Sequence, residues 1–157
     1  LEEDDFIVSK TDLKGRITYC NQIFIRLSKY DEDELIGAPH NIIRHPDMPR
    51  VIFKLLWQRI QNKQEIFAFI KNLSKDGGYY WVFANITASV DMTGSIIGYY
   101  SVRRKANSEG LNAIIVLYQK LLELEKNGGI SASEQYLHDF LEKKEMCYDE
   151  WIISLQG

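Results

Sequence analysis

Three runs of strand-forming residues follow one another in the second half of the chain, joined by two tight turns. Glu65 to Ser74 is rich in Ile and Phe, Tyr79 to Val90 carries aromatic and β-branched residues, and Ser95 to Arg104 continues in the same manner. Lys75-Asp76-Gly77-Gly78 is a hairpin turn of the Asp-Gly kind, and Asp91-Met92-Thr93-Gly94 is a second turn. Strands joined this closely pair with their neighbours, so the chain contains an antiparallel meander. Such a sheet has an apolar face, and the rest of the chain must cover it.

The first half supplies a further hairpin and the cover. Ile7 to Thr11 and Arg16 to Cys20 read as strands around the turn Asp12-Leu13-Lys14-Gly15. Asn21 is placed to cap a short helix with Phe24, Ile25 and Leu27 on its apolar side. Asp31 and Glu34 have capping-box spacing and open a second short helix, ended by Gly37 and Pro39. Residues 40–48 read as irregular. Pro49 then starts a longer helix whose Val51, Ile52, Leu55, Leu56, Trp57 and Ile60 recur at helical spacing. The expected fold class is α+β, with a five-stranded antiparallel sheet and short helices on one face.

Residues 106–157 differ in pattern. Leu111, Ile114, Ile115, Tyr118, Leu121 and Leu122 form one stripe of a helix, which Asn127-Gly128-Gly129 stops. Ser131 and Glu134 open another, with Tyr136, Leu137, Phe140 and Leu141 on one side, and Trp151, Ile152 and Leu155 mark a last short segment. The expected organisation is a domain at 1–105 and a helical extension at 106–157, docked on the domain, on itself or on a partner.

Composition narrows the function. A net charge of -3 and a pI of about 5.6 argue against a nucleic-acid partner. No apolar run approaches the ~20 residues that span a bilayer, and the acidic start Leu1 to Asp5 is unlike a signal peptide. Cys20 and Cys147 stand far apart, as in reduced cytoplasmic proteins. The expectation is a cytoplasmic protein without direct membrane insertion.

The densest polar segment runs from Pro39 to Pro49 and holds all three prolines and two of the three histidines. Prolines impose a fixed, non-regular backbone. Such a segment carrying Asn41, Arg44, His45 and Asp47 suits a ligand-contacting loop. The alternative is local: Arg44 pairs with Asp47 while His45 caps the next helix. His40, His45 and Asp47 complete no recognised metal spacing, and there is no G-x-S-x-G motif or phosphate loop, so no enzyme is expected.

Polar residues also interrupt the aromatic strands. Lys71 and Asn72 follow Phe67, Phe69 and Ile70; alternation puts Trp81, Phe83, Asn85 and Thr87 on one face. A buried amide without a partner costs about 1–3 kcal/mol. A heteroaromatic ligand with ring carbonyl and N–H groups would satisfy it; the alternative is that these groups face solvent.

The arrangement of hairpin, short helices, longer helix and meander resembles a PAS domain. Thr11-Asp12-Leu13-Lys14-Gly15, Ile17-Thr18-Tyr19-x-Asn21 and Glu34-Leu35-Ile36-Gly37 carry the general likeness. The string Pro39 to Pro49, with Leu56-Trp57, Lys71-Asn72, Gly77, Tyr80-Trp81-Val82-x-Ala84-Asn85 and Gly98-Tyr99-x-Ser101-Val102-Arg103, resembles PAS domains of the aerotaxis-receptor type over about residues 6–105. The helical end, with Tyr118, Ser131-Ala132-Ser133 and Tyr148-Asp149-Glu150, is similar to the stand-alone PAS subunits of split energy-taxis systems.

That resemblance implies noncovalent FAD and a redox or energy sensor that signals to a membrane-bound chemoreceptor partner. Homodimerisation is compatible with it. Asn41, Arg44, His45 and Asp47 match the family's flavin-binding or signalling string. Trp57, Lys71, Asn72, Tyr80, Trp81 and Asn85 match positions expected near the flavin. Trp and Tyr can stack on a ring, Asn85 can donate and accept at a pyrimidine edge, and Arg44 or Lys71 can meet a diphosphate. Light-sensing PAS relatives carry a cysteine before the long helix, and none is present here. The alternatives are haem held by His40 or His45, and a cofactor-free interaction module.

Overall fold

Asn21 ties the first strand to the first helix. Its Oδ1 accepts from the Phe24 amide at 3.2 Å and from the Val8 amide at 3.1 Å, and its Nδ2 donates to the Phe6 carbonyl at 2.8 Å. In the computed structural model, which describes residues 1–157, the chain runs β1 (Ile7–Thr11), β2 (Ile17–Cys20), α1 (Gln22–Ser28), α2 (Glu32–Leu35), a 3-10 turn (His40–Ile43), α3 (Arg50–Gln61), β3 (Ile66–Leu73), β4 (Tyr79–Val90), β5 (Ile96–Lys105), α4 (Ser108–Lys143) and α5 (Tyr148–Gln156).

The five strands form one sheet in the order β2-β1-β5-β4-β3, antiparallel throughout. The two outer hairpins are stitched together where β1 pairs with β5, Ser9 opposite Ser101. Segment 40–48 is not wholly irregular: the 3-10 turn seats Ile43 in the core, 2% exposed.

The register divides the sheet into two faces. Ile7, Ser9, Ile70, Asn72, Val82, Ala84, Tyr99, Ser101 and Arg103 share the inner face, under α1, the 3-10 turn and α3. Phe67, Phe69, Trp81, Phe83 and Asn85 share the outer face.

The C-terminal helices fold back. Ile114, Leu117, Tyr118, Leu121, Trp151 and Ile152 are buried in one apolar cluster with Phe69 and Phe83. Trp81 meets Tyr118 at 6.0 Å between ring centroids. Gly129 breaks α4 at φ 71°, ψ -169°, as the Gly-Gly pair predicts, but the helix resumes at once. Gly110 lets α5 approach: a Cβ there would overlap the Leu155 carbonyl oxygen.

Candidate functional site

A cavity of about 220 Å³ lies between the inner face of the sheet and α3. The sheet contributes Ser9, Ile70, Asn72, Tyr99, Ser101 and Arg103; α3 contributes Phe53, Leu56, Trp57 and Ile60; the 3-10 turn contributes His40, Asn41 and Ile43. Trp57 meets Tyr99 edge to face at 5.4 Å and is 38% exposed, so its indole stands at the entrance. Lys14 and Asn41 are exposed lining residues and Arg44 is half-buried.

The inner wall carries more donors than the fold uses. Arg103 is 2% exposed and no acid pairs with it. Its Nη2 donates to Ser9 Oγ at 3.0 Å, and Ser9 Oγ meets His40 Nε2 at 3.0 Å. The guanidinium lies 4.7 Å from the Phe24 ring centroid. Arg103 Nε, Asn72 Nδ2 and the Tyr80 hydroxyl are buried without partners. Buried polar groups almost always find one, so this wall suits a ligand rich in acceptors. Burial lowers the Arg103 pKa to about 10, which leaves it charged at neutral pH. Burial, then the Arg103 charge, lowers the His40 pKa to about 3, so its ring is neutral. Burial raises the Tyr80 phenol.

The proline-bounded segment is braced from outside. Arg44 stacks over Phe53 at 4.0 Å, and its backbone forms a bridge with Asn72. His45 Nδ1 accepts from the Asp47 amide at 3.0 Å. Lys71 Nζ donates to Asp47 at 3.2 Å and lies 4.3 Å from the Tyr79 ring centroid. Burial and the Lys71 charge lower the His45 pKa, in keeping with an unprotonated Nδ1. The Arg44–Asp47 pair weighed from sequence does not form; Asp47 is bound to Lys71 instead.

Of the residues singled out in the sequence, Asn41, Arg44, Trp57 and Asn72 line the cavity, and Tyr80 stands beside Asn72 on the same face. His45, Asp47 and Lys71 sit outside it, against the β3 edge. Trp81 and Asn85 are on the far face, away from the cavity, with Trp81 against Tyr118 of α4. Asn85 lies opposite Phe67 and Val102, and its Nδ2 donates to Glu65 Oε1 at 2.9 Å. Alternation groups Trp81 with Asn85 but does not say which face encloses the cavity. Arg103 and Ser9 were missed. The signal was present: Tyr99, Ser101 and Arg103 alternate onto one face.

Known proteins share this arrangement. The profile of the PAS fold family matches residues 17–103. The aerotaxis receptor of Escherichia coli (strain K12) is 40% identical over 121 residues, covering 77% of this chain and 24% of the receptor. A nitrogen fixation regulatory protein of Klebsiella pneumoniae is 25% identical, covering 99% of this chain and 34% of the regulator. The chain thus spans a quarter to a third of these relatives. A light-oxygen-voltage domain studied with a flavin analogue superposes with a TM-score of 0.62 at 21% identity, over 73% of this chain and 86% of that domain. The LOV domain of the blue-light photoreceptor Aureochrome1 gives 0.61 at 21% identity, over 72% and 89%. Sheet order, the cavity under α3 and the matched span agree: the chain belongs to the PAS fold family.

Proposed function

We propose that this chain is a redox or energy sensor that binds FAD noncovalently in the cavity and passes the flavin's redox state to a membrane-bound chemoreceptor partner. The observation that carries the reading is the unpaired donor set of the inner wall, Arg103 Nε and Asn72 Nδ2, buried in a cavity walled by Phe53, Leu56 and Trp57. A flat heteroaromatic ring with carbonyl and imine acceptors matches both halves of that wall. The likeness to the aerotaxis receptor, and the flavin analogue in the similar light-oxygen-voltage domain, support the choice of ring.

Volume sets a limit on what enters. About 220 Å³ is below the ~300–1,000 Å³ of ordinary ligand sites, so the cavity suits a ring rather than a dinucleotide. The charged remainder belongs at the entrance, where Lys14 and Arg44 can meet a diphosphate. When bound, the flavin supplies the electron chemistry. The chain's part is to hold and tune it. Arg103 places a positive charge at the inner wall, the neutral His40 holds Ser9 toward it, and Trp57 shields the entrance. Helix α3 and the sheet then carry a change at the cavity outward, a two-state hypothesis.

The test is the visible spectrum of freshly purified protein before and after anaerobic reduction. The expected result is a flavin double band that bleaches, with FAD released on denaturation. A Soret band would move the assignment to haem at His40. Colourless protein that takes up no added FAD would overturn the reading. Co-purification with a chemoreceptor-type membrane protein, lost on reduction or oxidation, tests the relay.

A further inference from the structure

Helix α3 is held on both sides. Inward, Phe53, Leu56, Trp57 and Ile60 wall the cavity. Outward, the C-terminal helices grip it at three points. The Glu125 carboxylate, from α4, accepts from the Arg50 amide at 2.8 Å and the Val51 amide at 3.1 Å. Lys54 meets Glu134 at 2.8 Å. Arg59 donates to both oxygens of Asp149, on α5, at 2.9 Å.

The first grip differs from the other two. Helix α3 has Pro49 at its N-cap, which offers no side-chain acceptor, so Glu125 supplies the cap from another element. The Glu125 side chain is only 5% exposed. It stands on the apolar stripe Ile114, Tyr118, Leu121, where a carboxylate is out of place unless used. Its Oε2 also accepts from the Ser133 hydroxyl at 2.8 Å. Ser133 lies beyond the break at Gly129, so one buried carboxylate joins the first arm of α4, its second arm and the start of α3. The Arg50 guanidinium, its Nε 3.8 Å from Oε1, faces the same carboxylate. If the first turn of α3 moves, the buried carboxylate loses both amide donors and keeps only the Ser133 hydroxyl, an expensive state. The contact therefore favours two arrangements, made or broken, over a continuum.

We propose that Glu125 is a latch coupling what fills the cavity to the docking of the C-terminal helices. With α3 seated, the latch is closed and residues 130–156 stay packed. When α3 shifts, the second arm of α4 and α5 are freed to meet a partner. The inference rests on the cavity being the ligand site described above. Coupling between two sites is reciprocal, so opening the latch also weakens binding in the cavity.

The experiment is hydrogen exchange on the full chain with and without FAD, together with FAD affinity, for the native chain, Glu125→Ala, Glu125→Gln and Ser133→Ala. Lys54→Ala serves as the exposed-pair control. In the native chain FAD slows exchange over residues 130–156. Glu125→Ala weakens FAD binding roughly 5- to 150-fold, the ordinary range of such couplings, and abolishes that slowing. Glu125→Gln, which keeps one acceptor oxygen, restores part of both; Lys54→Ala changes neither. Should Glu125→Ala fail to fold, Glu125→Gln and Ser133→Ala carry the comparison. Unchanged affinity and undiminished FAD-dependent slowing in those two variants overturn the latch. If the native chain binds no FAD, the flavin reading fails separately. The latch is then read without ligand: Trp57→Ala, in the cavity wall, raises exchange over 130–156 in the native background and adds nothing in Glu125→Gln. No rise at 130–156 overturns it.

Discussion

Tyr118 donates its hydroxyl to the main-chain carbonyl of Phe69 at 2.7 Å, joining α4 to the last strand of the sheet. Tyr148 does the same for Phe67 at 2.8 Å from α5. Strand β3 pairs with β4 on one side only, and the two phenols serve the other. Removing one hydroxyl leaves a carbonyl unmet in a buried place. Tyr118→Phe is expected to cost about 1–3 kcal/mol, measured as a lower denaturant midpoint with the same m-value.

The same phenols give an alkaline limit. Burial holds the Tyr118 and Tyr148 pKa values above the usual tyrosine range. A folded pKa raised above the unfolded one gives stability that is present below about pH 10, the unfolded value, and declines as pH rises toward the folded pKa. Stability is therefore expected to fall above about pH 10. The phenolate absorbance of these two residues should appear only together with loss of far-UV ellipticity. Full phenolate absorbance with native ellipticity would contradict the burial.

Arg103 separates binding from folding. Arg103→Met keeps the length and apolar contact over Phe24 but removes the charge and the unpaired Nε. A buried charge replaced by an apolar side chain is often neutral or stabilising. The variant is expected to bind FAD at least about tenfold more weakly, a change of about 1.4 kcal/mol, while its FAD-free unfolding midpoint stays level or rises. Isothermal titration and thermal unfolding check the two halves.

His40 sets an acid limit. Its folded pKa of about 3 lies below its ordinary 6.5, so the unfolded chain takes up the proton first. Its contribution is complete above about pH 6.5 and is lost as pH falls toward its folded value. The full shift caps the effect at roughly 5 kcal/mol, and the ring's opening onto the cavity keeps it below that ceiling. His40→Gln is expected to flatten the stability profile between about pH 6.5 and 3, as read by urea unfolding across that range.

Asn72 and Asn85 test the assignment of the faces. Asn72→Ala removes a donor aimed at the cavity wall and is expected to lower retained FAD. Asn85→Ala removes only the contact with Glu65 on the far face and is expected to leave flavin content unchanged. The ratio of flavin to protein absorbance decides.

Local signals account for what was legible in the sequence. The meander follows from its turns, α1 from the Asn21 cap, and the break in α4 from Gly129. Each depends on neighbours a few residues away. The legible part of the site was the segment around Arg44, whose prolines mark an irregular backbone. What stayed hidden depends on long-range packing. Nothing near Asn85 says which side of β4 faces α3. Arg103 reads as a strand-end charge until Ser9, far away in sequence, is brought opposite Ser101. Glu125 reads as one more surface acid, although its spacing from Tyr118 and Leu121 puts it on the apolar stripe. A carboxylate on that stripe was the available sign.

The phenols on β3 also bear on how this protein meets others. A bare sheet edge is a template for strand addition, either by a second copy or by a foreign peptide. Here Tyr118, Tyr148 and the Arg44 backbone occupy β3 at Phe69, Phe67 and Asn72. Helices α4 and α5 so cover that edge against strand addition. Strand addition at β3 thus requires α4 and α5 to undock first, so the docking of these helices also sets whether that edge is open.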